Sequence, residues 1–257
     1  MKITGSLKKI WIKTATLWQT TCQRTMFATI RHVIAASYLK GEGIEIGALH
    51  NPLLVPKGAT VRYVDKWTAE HLASTYPELK ARKLVKIDII DDGETLATIP
   101  EASVDFIIAN HLLEHCRNPL RTIERMFALL RCGGVLYLTV PDKRYTFDAP
   151  RTVTPVQHLI REYREGTDWS LQAHAEEYAR DALGIVDTVE LEEKVRDILA
   201  AGGNSDMHWH VWTQDEILEV ILALKREVGL SFETELFFRN GDFEVIFLLR
   251  KTSSERP

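Results

Sequence analysis

Glu45-Ile46-Gly47-Ala48-Leu49-His50-Asn51-Pro52 is the stretch on which the rest of the chain is read. It closes a short β-rich run, residues 43–47 (GIEIG), and several of the strand patterns in the chain are continuously apolar, as in strands covered on both sides. Gly47 stands where strand becomes loop, and a glycine there lets the backbone approach a ligand closely. Twenty residues after Glu45 a second β-rich run, residues 61–65 (VRYVD), ends in Asp65. An acid at the end of the strand after such a loop is placed to hold both hydroxyls of a ribose.

Further strand patterns follow at residues 84–88 (LVKID), 104–110 (VDFIIAN) and 135–141 (VLYLTVP). Helical patterns lie between them. Residues 68–76 open with Thr68 as a cap, and residues 119–130 have Pro119 at their start and Cys132-Gly133-Gly134 as a stop. This alternation predicts right-handed βαβ units and a parallel sheet. The ending differs. Thr213 and Glu216 form a capping box for a helix over 214–228, and strands at 231–239 and 243–251 flank the tight turn Asn240-Gly241-Asp242. The expected fold is therefore α/β, a Rossmann-like seven-stranded sheet, mostly parallel, closed by an antiparallel C-terminal hairpin. Residues 142–210 interrupt it as a helical cap, with helices at 170–183 and 188–201, at the carboxyl edge where ligands bind in open α/β folds. The units expected are a basic helical extension (1–41), a cofactor-binding core (42–141), the cap (142–210), a helix and hairpin completing the sheet (211–251) and a loose tail (252–257).

The third strand pattern ends in Asp88, within reach of an adenine amino group, and the fourth in Asn110-His111. With the acidic-x-Gly loop, with Leu113-Glu114-His115 beyond the fourth strand and with Leu129-Leu130-Arg131-Cys132-Gly133-Gly134 before the fifth, the order resembles class I S-adenosylmethionine-dependent methyltransferases, in particular the type 11 branch. The resemblance implies S-adenosyl-L-methionine as cofactor, held by Glu45, Gly47, Ala48, His50, Asn51, Asp65, Lys66, Asp88, Ile89, Asn110 and His111. It implies a small-molecule acceptor. One departure stands out: the family's loop carries three glycines and only Gly47 is kept. Thirteen residues separate Gly47 from Val61, so the first crossover helix is expected to be short or remodelled. The His50-Asn51-Pro52 variant is similar to one in bacterial methyltransferases of surface-sugar pathways, which points to a sugar or glycolipid acceptor. The thinned loop also suits a catalytically inactive cofactor-binding subunit.

A hydroxyl or amine acceptor benefits from a base that takes its proton. His111 and His115 are candidates by position. A second group is His208, His210 and Asp142; alternate histidines in an extended segment point to one side. Together they suggest an acid/base pair or a metal site, though packing is the commoner role for such histidines, and no metal ligand is assigned. His111-Leu112-Leu113-Glu114-His115 also matches the H-x-x-E-H pattern of zinc proteases. Its start at the end of a buried strand argues against that reading. Lys143 and Arg144 offer charge to an anionic substrate.

Net charge is −4, which gives no overall attraction to nucleic acid, but the charge is uneven. Residues 1–41 hold seven Lys or Arg and no acid, leaving 25 basic and 36 acidic residues, a net −11, beyond them. Leu7, Ile10, Trp11, Leu17 and Trp18 fall on one helical face beside Lys8, Lys9 and Lys13. Such a face packs on the fold or lies on an anionic membrane, and both readings remain open. Three cysteines without metal or disulfide spacing, no apolar run of membrane-spanning length and no secretory pattern lead us to expect a cytoplasmic setting, with a peripheral contact at the inner face of the membrane as the alternative.

Overall fold

The computed structural model describes residues 29–201 and 207–253. Its centre is one seven-stranded sheet in the order β3-β2-β1-β4-β5-β7-β6. Strands β1 (Gly41–Ile46), β2 (Ala59–Asp65), β3 (Ile89–Ile90), β4 (Val104–Asn110) and β5 (Leu130–Pro141) run parallel. β6 (Phe232–Asn240) and β7 (Glu244–Lys251) form the hairpin, and β7 pairs antiparallel with β5. The expected mixed sheet is the observed one.

Both faces of the sheet are covered, which explains the unbroken apolar runs. In β4 the side chains alternate between two cores. Ile107 and Ala109 join Ile44, Leu136, Leu138 and Phe247 beneath the helices α3 (Pro119–Leu129) and α7 (Gln214–Arg226). Phe106 and Ile108 join Tyr137, Ile246 and Leu248 on the other face. That face is covered by α1, whose described part is residues 29–38, through Ile34 and Ala35. Gly43 allows β1 to lie against β4: a Cβ there would stand 2.3 Å from the Phe106 ring.

The helix caps follow the sequence. Thr68 accepts from His71 N–H at 3.2 Å before α2 (Ala69–Thr75), Asn118 accepts from Arg121 N–H at 3.1 Å before α3, and Thr213 and Glu216 close the capping box of α7. The cap holds α4 (Val156–Glu165), α5 (Leu171–Glu177) running on through a π turn to Ala182, and α6 (Thr188–Ala200). α4 was absent from the sequence reading. It packs Val156 and Leu159 on the main core, while α5 and α6 share a separate small core around Ala179, Ile198 and Trp209.

One expectation is met and another requires correction. No helix joins β1 to β2; residues 47–58 are loop and turn, so the first crossover is remodelled, as expected from its short span. The third strand is Ile89–Ile90, not 84–88. The earlier run lies along the loop after β1, with Val85 N–H donating to the Leu49 carbonyl at 2.8 Å, and only Ile89 and Ile90 pair with β2. The amphipathic face at residues 7–18 lies outside the described residues. Among the described residues no helix is long and apolar enough to cross a membrane.

Candidate active site

The carboxyl ends of β1, β2, β4 and β5 meet along one edge of the sheet. β1 delivers Glu45, buried beneath the loop that follows it. Both its carboxylate oxygens accept from Leu53 N–H, at 3.0 and 3.1 Å, and Asn110 Nδ2 donates at 3.4 Å. Burial pushes this carboxyl up to about 7 against those bonds. Glu45 therefore shapes the loop from within. Gly47 turns outward with φ +66°, a left-handed conformation that favours glycine, and a Cβ added to it would meet nothing within 4 Å. Ala48 is buried, whereas His50 and Asn51 are exposed on the loop.

Asp65 ends β2 half-buried. Its carboxylate accepts from Trp67 N–H at 3.4 Å, and desolvation raises its pKa against the bonds from the Trp67 and Lys66 backbone. Lys66 is exposed and stands 3.3 Å from Asp92. Asp88 is not at this edge. With β3 shifted to Ile89–Ile90, Asp88 precedes the strand, and its side chain accepts from Tyr63 N–H at 3.0 Å. Ile89 lies inside the strand, packed against the main core. The acids at the carboxyl end of β3 are Asp91 and Asp92. Asp91 is consumed by bonds to Asp92, Ala97 and Thr98, while Asp92 stays partly exposed. Asp92 thus takes the position first expected for Asp88. The sequence signal was the doubled acid after the pair of isoleucines.

A polar chain continues along the edge. Asn110 Oδ1 accepts from Thr139 Oγ1 at 3.1 Å, and Arg31 of α1 reaches both Thr139 and Glu244. Glu244 is buried and also bonds His111 Nε2 at 2.8 Å; hydrogen bonds from Arg31 and His111 outweigh its desolvation and hold it at about 2. His111 sits at φ +52°, a conformation rare outside glycine and recurrent at functional sites, and stacks on Phe243.

The catalytic candidates separate into four places. His111 faces Glu244. His115 bonds the Met207 carbonyl through Nδ1 at 3.0 Å and meets His208 edge-on, ring centroids 4.7 Å apart. His208 Nδ1 bonds Asp148 at 2.6 Å, a buried aspartate that the sequence reading passed over. His208 and Asp148 line a closed interior gap, too small for a water molecule, together with Glu114, Lys143 and His210. Glu114 is buried with neither carboxylate oxygen in a hydrogen bond among the described residues; His111 Nδ1 lies 3.5 Å from its Oε1. The expected trio of Asp142, His208 and His210 does not form. Asp142 is held by Arg144 at 2.6 and 2.9 Å, and His210 turns wholly inward to Glu162 at 2.9 Å. Burial lowers the His210 pKa to about 4. The zinc-protease geometry is also missing: residues 111–115 are a strand end and a short 3-10 turn, so His111 and His115 share no helix face.

Among the described residues, two groups have the donor atoms for a metal within 4.8 Å of one another: Glu114, His115 and His208 beside the closed gap, and His158, Glu162, His174 and His210 inside the cap.

Fold and edge together define a methyltransferase domain, and comparison with known proteins agrees. The profile of the methyltransferase domain family matches residues 27–184, and the chain belongs to that family. It is similar to a probable S-adenosylmethionine-dependent methyltransferase of Mycolicibacterium smegmatis, 29% identical over 92 residues, 36% of this chain and 32% of that protein. The chain thus spans about a third of the length of that curated relative. Among solved structures it is similar to a protein of Rhodobacter sphaeroides solved under a zinc-dependent alcohol dehydrogenase name (TM-score 0.50, 16% identity, 87% of this chain and 89% of that one). Another is a SAM-dependent methyltransferase of Methanosarcina mazei (TM-score 0.42, 18% identity, 84% and 95%).

Proposed function

We propose that this chain transfers a methyl group from S-adenosyl-L-methionine to a small-molecule acceptor, a sugar or sugar-containing lipid. The observation that carries the reading is the pairing of Gly47, open above its Cα, with the half-buried Asp65 carboxylate at the adjoining strand end. Those residues fit an adenosyl group. Asp65 would take the ribose hydroxyls, Gly47 gives the room for close approach, and Asp92 stands where an adenine edge would lie. When bound, the cofactor supplies an activated methyl group, so that positioning of the acceptor provides much of the rate.

The chain's own contribution is a base. Asp148 holds His208 by Nδ1, so Nε2 is the atom that would take a proton from an acceptor hydroxyl once the closed gap beside the ring opens to admit it. Lys143, lining the same gap, donates to the Ala149 carbonyl and so fixes the loop that carries Asp148. The sugar class rests on the His50-Asn51-Pro52 loop and on a hydroxyl being the group such a base serves. We infer a cytoplasmic setting, with residues 7–18 as the segment for any peripheral membrane contact.

The test is turnover. The full chain is incubated with S-adenosylmethionine and a panel of free sugars, nucleotide sugars, glycolipids and small amines, and released S-adenosylhomocysteine is measured. Release with a sugar-bearing acceptor supports the proposal. Release only with amines overturns the acceptor class, and failure to bind the cofactor overturns the whole reading.

A further inference from the structure

The cap contains a polar centre that the methyl-transfer reading does not use. His158 and Glu162 lie one turn apart on α4, His174 comes from α5, and His210 comes from the segment leading to α7. Their ring nitrogens and carboxylate converge. Glu162 Oε1 lies 3.1 Å from His158 Nε2 and 3.2 Å from His174 Nε2; Glu162 Oε2 lies 2.9 Å from His210 Nε2; and the Nε2 atoms of His158 and His174 are 3.0 Å apart. Glu162, His174 and His210 are buried, and His158 forms the partly exposed rim.

Hydrogen bonds alone cannot satisfy this arrangement. Consider the triangle of His158 Nε2, His174 Nε2 and Glu162 Oε1. If both imidazoles donate to the carboxylate, two N–H groups face each other at 3.0 Å. If one imidazole donates to the other, the acceptor nitrogen faces the carboxylate oxygen with no proton between them. Either way one short edge is repulsive, in a site where an unsatisfied polar contact is costly. A cation at the centre removes the conflict, because all the atoms then present lone pairs to it.

The surroundings match such a site. His210 Nδ1 is bonded to the Cys116 carbonyl at 3.1 Å, which presents Nε2 inward, and Ser170 Oγ bonds Glu162 Oε1 at 2.5 Å. Metal-bound histidines usually donate their other N–H to a carbonyl or carboxylate, and ligating carboxylates are themselves hydrogen-bonded. Ligands at about 2.0–2.1 Å from a tetrahedral zinc ion lie roughly 3.3 Å apart; the four contacts above span 2.9–3.2 Å, and all the donor atoms lie within 4.8 Å of one another. Four protein ligands leave no open position, as in structural sites.

We propose that His158, Glu162, His174 and His210 bind one zinc ion, which ties α4, α5 and the α7 lead-in together and so pins the cap to the sheet. Such a tie suits the fold. Among the described residues, α5 and α6 pack in a small core of their own, and α5 is tied to the loop before α4 by Glu177 with Arg151 and Thr152 and to α4 itself by Ser170 with Glu162.

The test uses the full chain purified without a histidine tag and passed into metal-free buffer. Metal content is measured by mass spectrometry, and melting is followed with and without a chelator. About one zinc per chain is expected, with a chelator-sensitive Tm, because binding to the folded state adds to stability. Glu162→Gln and His174→Ala should each lose the zinc and the chelator sensitivity, while His208→Ala, at the neighbouring closed gap, should keep both. Should the cap variants fail to fold, wild type stripped of metal and refilled with Co(II) decides: the visible absorption of four-coordinate cobalt is expected. Wild type that holds no zinc after incubation and gel filtration overturns the proposal. So does zinc lost from His208→Ala but kept by Glu162→Gln, or cobalt bound without the four-coordinate spectrum.

Discussion

The edge at β1 and β2 and the centre of the cap both gather carboxylates into a partly dry environment, with opposite results. At the edge, Asp65 is left with backbone partners only, and Gly47 faces open space. In the cap, Glu162 is met by three histidines and a serine hydroxyl. Its carboxyl is held far below the usual range although desolvation acts to raise it. The first arrangement keeps capacity for a ligand that comes and goes; the second gathers its donor atoms around one point, as a permanently held ion requires. A third case is the Asp148–His208 pair, oriented like the cap histidines and bordering a closed gap lined by Glu114 and Lys143.

This contrast can be broken at several points. The largest expected effect is at His208. His208→Ala should lower kcat by about 10²–10⁴-fold, the usual contribution of a general base, with cofactor affinity unchanged. Steady-state rates beside calorimetry check this, and an unaltered kcat would remove His208 from the chemistry. Next is the buried ion pair that joins α1 to the edge. Glu244→Ala leaves Arg31 and His111 without their charge partner, and breaking such a pair costs about 3 kcal/mol or more. Denaturant unfolding measures it; an unchanged midpoint would show that α1 is not held this way.

A smaller effect is expected from Glu45. Its folded pKa, about 7, lies above the value of an unfolded glutamate. Its contribution to stability is therefore whole below the ordinary carboxylate range and is lost as pH rises through about 7. Glu45→Gln keeps a hydrogen-bonding side chain and removes the charge. Its Tm should fall less than that of wild type between about pH 5 and 8. Parallel curves would contradict the buried position of Glu45.

What the sequence made legible follows from how local each signal is. The apolar runs of β1, β4 and β5, the Thr213 capping box and the Asn240-Gly241 hairpin are carried by adjacent residues, and each element formed where expected within a residue or two. β5 is the exception, beginning at Leu130 with the residues read as a turn. The third strand was misplaced because Leu84–Val85–Ile87 is as apolar as Ile89–Ile90, and only pairing with β2 separates them. α4 was legible and was overlooked: behind Pro155, Val156, Leu159, Ile160 and Tyr163 fall at i, i+3, i+4 and i+7, a full apolar stripe. The side-chain partners were the least legible. Asp148 with His208, and Glu162 with His174 and His210, join residues far apart in the chain, and nothing local announces them.

The central claim is that the cofactor lies across Gly47 and Asp65. Calorimetric titration of S-adenosylmethionine into wild type, Asp65→Ala and Asp88→Ala tests it most directly. Removing a hydrogen-bonded charge costs about 1.5–3 kcal/mol, so Asp65→Ala should bind more than about tenfold more weakly, while Asp88→Ala, on the far side of β3 from the edge, should match wild type. Equal affinity in wild type and a folded Asp65→Ala, or a loss confined to Asp88→Ala, would contradict the account.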